Sequence, residues 1–319
     1  METRKIIAFG TSSFVVSLPK EWIIQNKLKK GDNLYIENNK GELVLLPGPS
    51  EAKEELKQDV INIDKKDLDL VRTQIVTSYL NGANVINIKG TELEKNSQKM
   101  KSILRNLTGM EIINQTNDKI TAKDLLNIKE ISVPTLIRRM DNIVRSMVLD
   151  SIDCLNTDHY SSIYERDVDV NRLVFLIFRV LRTALKDPSL ARSLGMTNID
   201  ILANWIVATK LEKIGDQAKR IARSINEIKI EKKDGEEVAG VYRDIYNDYL
   251  EVMKAFYKKD LDAVFNLETT NKQRIDRCIK LQDCKNPGIE KILFHFRSMS
   301  TSVKNIGRAI VCMEEEIKF

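Results

Sequence analysis

Four oxygen-bearing side chains at helical spacing are the first candidates for chemistry in this chain of 319 residues. Glu212 and Asp216 stand four apart, as do Asp167 and Asn171, so each pair shares one helix face. Like charges at this spacing cost a few tenths of a kcal/mol unless something positive compensates. Two facing helices carrying both pairs would offer a mostly oxygen-lined pocket suited to a hard cation or to iron. The competing account is local neutralisation, because Arg220 lies a further four residues along and can pair with Asp216. Carboxylates four apart are also common on solvated helix faces.

A second set is basic. Arg4, Lys5, Lys20, Lys27, Lys29 and Lys30 fall near the N-terminus, interleaved with Thr11, Ser12 and Ser13, and all can contact phosphate. A unit of roughly fifty residues is too small for a stable core. It is therefore expected to complete itself by pairing with a second chain, which doubles the positive surface and makes it a candidate DNA interface. The whole chain carries Lys+Arg 51 against Asp+Glu 46, a net +5, so any nucleic-acid contact must be local.

Catalytic signatures are missing. The sequence has no GxxxxGK[ST], GxSxG or HExxH, and its two histidines, His159 and His295, suggest no acid–base triad. An enzyme is the least supported class. Cys154, Cys278, Cys284 and Cys312 form no CxxC, which argues against a disulfide framework or a Cys/His zinc site and for buried, reduced thiols. The start METRKIIAFG lacks an apolar signal core, and the longest apolar run, Leu173 to Leu185, is broken by Arg179 and Arg182. Those features read as a cytoplasmic protein without membrane insertion.

The elements that must position these residues come in three textures, and together they predict an α+β multidomain chain. Residues 1–48 read as a small β unit: Phe14 to Leu18, Leu34 to Glu37 and Leu43 to Leu46 are strand candidates, with a turn at Asn38-Asn39-Lys40-Gly41 and a short helix after Pro19. Pro47-Gly48-Pro49 marks a boundary. Residues 58–128 alternate strand and helix patterns in an approximate βαβαββ order, a small α/β module of no derivable function. From Pro134 onward only the 3.6-residue period remains.

The helical part repeats itself. Leu211-Glu212-Lys213-Ile214-Gly215-Asp216 has a counterpart in Val303-Lys304-Asn305-Ile306-Gly307-Arg308, and Asn156-Thr157-Asp158 one in Lys258-Lys259-Asp260. Two related three-helix bundles are expected, over 133–230 and 236–319. Glycine inside a helix costs about 1 kcal/mol against alanine, so its recurrence at 215 and 307 points to close helix approach. The second copy places Thr269, Gln273, Lys304 and Arg308 where the first has Asp167, Asn171, Glu212 and Asp216. Only the first can be anionic.

Residues 4–47 resemble the AbrB/SpoVT swapped-hairpin DNA-binding domain through Val16-Ser17-Leu18-Pro19, Lys20-Glu21-Trp22 and Lys30-Gly31-Asp32. That resemblance implies an intertwined homodimer on DNA. From about Val133 to Ile317 the chain resembles PhoU, the phosphate-uptake regulator of two three-helix repeats, through Leu211-Glu212-Lys213-Ile214-Gly215-Asp216-Gln217-Ala218 and the acidic stretch Glu165 to Asn171. In that family the acidic motifs can hold iron or zinc clusters, which would fall to Asp167, Asn171, Glu212 and Asp216 in the first repeat only. The order of head, α/β linker module and tail resembles archaeal phosphate-uptake regulators. The combined expectation is a DNA-binding transcriptional regulator of phosphate uptake, with a tail that senses phosphate status or docks on partner proteins. Two alternatives remain: an adaptor that docks on a phosphate transporter or sensor kinase without binding DNA, and an antitoxin-like repressor.

Overall fold

The computed structural model describes residues 2–39, 41–47, 56–228, 232–267 and 287–313. They fall into two compact units, Met1–Glu55 and Leu56–Phe319.

In the first unit, β1 (Ile7–Phe9) and β2 (Ser13–Val15) pair antiparallel, with Ile7 opposite Val15 and Phe9 opposite Ser13. Gly10 takes φ +72° in the connection, a conformation that only glycine adopts without steric cost. Strand β1 has too short a pattern to be read from the sequence. Pro19 stands in the extended region just before α1 (Lys20–Gln25), and its carbonyl accepts the Ile23 N–H at 3.2 Å. A second antiparallel hairpin joins β3 (Leu34–Asn39) to β4 (Glu42–Pro47). The expected turn sits there, although Lys40 lies outside the described residues. No described residue of this unit is buried.

The second unit opens with β5 (Gln58–Asn62), α2 (Leu68–Leu80), β6 (Val85–Lys89), α3 (Leu93–Arg105), β7 (Met110–Gln115) and β8 (Lys119–Asp124), the expected βαβαββ order. The sheet runs β5-β6-β8-β7, with β5 and β6 parallel and the other pairs antiparallel. Its register sets Ile61 beside Ile88 and Ile88 beside Ile120, so one face is continuously aliphatic. Val71, Ile75 and Tyr79 of α2 and Leu93, Met100 and Leu104 of α3 cover that face.

The helical part follows as α4 (Val133–Asp153), α5 (Tyr160–Lys186), α6 (Pro188–Ser193), α7 (Asn198–Glu227), α8 (Lys232–Lys258), α9 (residues 261–267) and α10 (Pro287–Val311). Thr197 starts α7 with a capping box to Asp200. Helix α7 packs against α4, α5 and α10, and one hydrophobic cluster runs from Val133 to Ile310. The two repeats therefore share a core. Among the described residues no helix is long and apolar enough to cross a membrane.

The α/β module is fastened to the helical part. Arg179 of α5 is 1% exposed and pairs with Asp124 at 2.5 Å, donates to the Ala83 carbonyl at 3.2 Å, and stacks over the Tyr79 ring at 4.4 Å. Phe175, one turn earlier, packs against both hydrophobic clusters. The expected linker module is thus one compact unit with the helices.

Candidate functional sites

Every sequence-predicted DNA contact is exposed. Arg4 and Lys5 precede β1, Thr11 and Ser12 form the β1–β2 turn, and Ser13 opens β2. Lys20 begins α1, while Lys27, Lys29 and Lys30 follow it. Arg4 donates to Glu2 Oε2 at 2.7 Å, a surface pair of little energetic weight that leaves the guanidinium available. The apolar positions of the hairpins are exposed as well, with Phe9 at 69%, Phe14 at 74%, Ile36 at 67% and Leu43 at 70%. Each such side chain gains about 1.5–3 kcal/mol when fully buried, and a hairpin pair without a buried residue is not stable alone.

The acidic residues of the first repeat are organised around a residue that the sequence reading missed. Lys219 of α7 donates to Asp167 Oδ2 at 2.7 Å and stands 3.2 Å from Asp216 Oδ1. Asn171 donates to the same Asp167 oxygen at 3.3 Å. Burial pulls the Lys219 ammonium down, but the bond and charge of Asp167, then Asp216, outweigh it and raise its pKa. Arg220 completes the set, with Nε 2.9 Å from Asp216 Oδ2. Local neutralisation therefore accounts for Asp216. The signal for Lys219 was its place three residues beyond Asp216, next to Arg220.

The expected metal ligands also part company. Asp167 and Asn171 face the cleft between α5 and the α/β module, whereas Glu212 lines a groove between α7 and α10 with Lys210, Lys213 and Arg297. Burial raises the Glu212 pKa, and the Asp216 charge adds to the shift. Among the described residues no three His, Cys, Asp or Glu side chains are arranged to hold a metal ion. An iron or zinc centre on Asp167, Asn171, Glu212 and Asp216 does not fit this arrangement, because an ammonium already bridges the two aspartates. In the second repeat Lys304 and Arg308 line a small cavity of about 80 Å³ with Asp248 and Gly307. Thr269 and Gln273 lie outside the described residues.

Two buried polar groups were not singled out from the sequence. Asp141 of α4 is 1% exposed, and Tyr249, Tyr257 and Arg145 all donate to its carboxylate, at 2.5, 2.8 and 3.0 Å. These bonds tie α4 to α8. His295 of α10 donates from Nδ1 to Gln217 Oε1 of α7 at 2.7 Å, and burial lowers its pKa. Of the cysteines, Cys154 is buried as expected, but Cys312 is exposed because it follows the last turn of α10. Cys278 and Cys284 lie outside the described residues.

Comparison with known families gives two matches. The family model of the PhoU domain matches residues 137–225, which cover α4 to α7. The family model described as antidote-toxin recognition MazE, bacterial antitoxin, matches residues 7–53. No curated protein and no solved structure matches the chain.

Proposed function

We propose that this chain, a PhoU domain behind a MazE-like head, is a cytoplasmic, homodimeric DNA-binding regulator of phosphate uptake. The head binds duplex DNA, and the helical part reports phosphate status through bound ligand or partner proteins. One observation carries the reading: the head exposes its apolar hairpin faces and its basic residues together, without a buried residue of its own. A second copy covers the apolar faces and places two sets of Arg4, Lys5 and Lys20 to Lys30 on one assembly. Both matched families are of regulatory domains, which supports a regulator over an enzyme.

The test is a gel shift of the full chain on promoter duplexes from its own gene and from a phosphate-transport operon, with light scattering for the oligomeric state. Affinity should fall steeply with salt, since each phosphate contact releases a condensed counterion. Arg4→Ala/Lys5→Ala should weaken binding on every duplex and leave the dimer intact. Failure to bind either duplex at low salt sinks the DNA reading and favours the adaptor that docks on a transporter or kinase. The match to an antitoxin family supports a second reading, an antitoxin-like repressor; a small toxic protein encoded beside the gene and captured by the chain would favour it.

A further inference from the structure

Arg179 and Phe175 hold the α/β module against α5, but toward the start of α5 the two part and leave a cleft of about 640 Å³. Its walls are α2 and α3 on one side and α5 with Lys219 on the other. The floor is apolar, formed by Val76, Ile103, Val168 and Phe175. Around it stand Arg72, Lys99, Ser102, Asn106 and Tyr164.

The charges are unevenly used. Asp69 and Asp167 are the acids of the cleft, and Asp167 is already held by Lys219 and Asn171. Arg72 and Lys99 have no ion-pair partner among the described residues. An arginine fork and an ammonium beside hydroxyl and amide donors are suited to phosphate oxygens. The volume lies within the range of small-molecule sites, about 300–1,000 Å³, and such sites favour interfaces between folded modules. Inorganic phosphate alone would leave the apolar floor uncovered.

We propose that this cleft binds a small organic phosphate with a flat apolar body, of the mononucleotide class. The phosphate lies on Arg72 and Lys99, and the body lies over Phe175, Val168 and Ile103. Because the walls belong to the α/β module and to the first repeat, the occupant braces one against the other. This inference is independent of the DNA-binding reading, since ligand binding is measured without DNA.

The experiment uses the full chain, with AMP, ATP and inorganic phosphate as probes in calorimetric titration and thermal unfolding. A mononucleotide should bind and raise the melting temperature, as any ligand selective for the native state does. Arg72→Gln/Lys99→Gln should weaken that binding about tenfold or more, the scale of lost charge-assisted bonds. Both positions are exposed, so the melting temperature without ligand should not move. Ser102→Trp, also at an exposed position, should block the cleft independently. The inference is overturned if neither nucleotide binds, if binding survives both variants, or if inorganic phosphate binds as tightly as the nucleotides.

Discussion

Replacing Arg179 by methionine tests how the α/β module is held. The substitution keeps an unbranched apolar stem that ends where Nε stands and removes three things: the pair with Asp124 at 2.5 Å, the donor to Ala83 at 3.2 Å, and the cation above the Tyr79 ring. The Asp124 side chain is 4% exposed and would keep the Leu126 N–H as a donor at 3.1 Å. Breaking a buried pair from one side costs about 3–5 kcal/mol. Arg179 Nε is itself buried without a partner, so its removal relieves one unsatisfied group and sets the expected loss near 3 kcal/mol. For a unit of this size that lowers the melting temperature by roughly 6–12 °C. Far-UV circular dichroism reads the temperature, and hydrogen exchange at the β6 and β8 amides separates the second unit from the head. Arg179→Met/Asp124→Leu should recover most of the loss, because an apolar pair of similar volume replaces a buried ion pair at little cost. A single variant as stable as wild type, or a double variant no better than the single, would refute the reasoning.

The recurring glycines should behave differently. At Gly215 a Cβ would meet Met147 Cε at 3.5 Å, ordinary contact, so Gly215→Ala should gain up to about 1 kcal/mol of helix propensity. At Gly307 it would meet Val264 Cγ1 at 3.1 Å, so Gly307→Ala should gain nothing or lose stability; equal gains at both sites would contradict the packing. Leucine at either glycine should cost about 1–3 kcal/mol, measured by urea unfolding. His295 has a folded pKa below its ordinary 6.5, first from burial and then from the Arg220 and Lys291 charges. Its contribution is complete above 6.5 and is lost as pH falls through the folded value, so wild type should weaken on acidification while His295→Gln shows a flatter profile. Lys219→Met should cost about 1–3 kcal/mol by leaving the Asp167 carboxylate without its charge partner, held by Asn171. Elemental analysis of protein purified without chelator should give less than one iron or zinc per chain; a stoichiometric metal lost in Glu212→Gln/Asp216→Asn would overturn the assignment of Lys219.

Much of the fold was legible because its signals are local. The alternating patterns of residues 58–128 became β5 to β8 with α2 and α3, and the 3.6-residue stretches after Pro134 became α4 to α10. The order of strands in the sheet was not legible, since β8 lies between β6 and β7 by a pairing that no local pattern encodes. Nor was the docking of the module on α5. Arg179 interrupts an apolar run and reads as a break in the hydrophobic pattern, while its partner Asp124 lies fifty-five residues earlier in the chain.

The acidic face of the first repeat shows why composition of a site is easier to read than its charge state. Spacing identifies carboxylates that must be compensated, and the energetic demand is the same for a metal ion or an ammonium. Selecting between them needs the relation of α5 to α7, because Lys219 reaches Asp167 across fifty-two residues of sequence and Asp216 across three. Lys219 and Asp167 shield each other from the cost of burial, and Arg220 takes the remaining Asp216 oxygen. Glu212, one turn before Asp216, lines the groove toward α10 with Lys210, Lys213 and Arg297, and burial first and the Asp216 charge second raise its pKa. The four predicted ligands thus serve two surfaces. Those on α5 belong to the cleft with the α/β module, where pairing Asp167 with Lys219 leaves Arg72 and Lys99 in excess over Asp69.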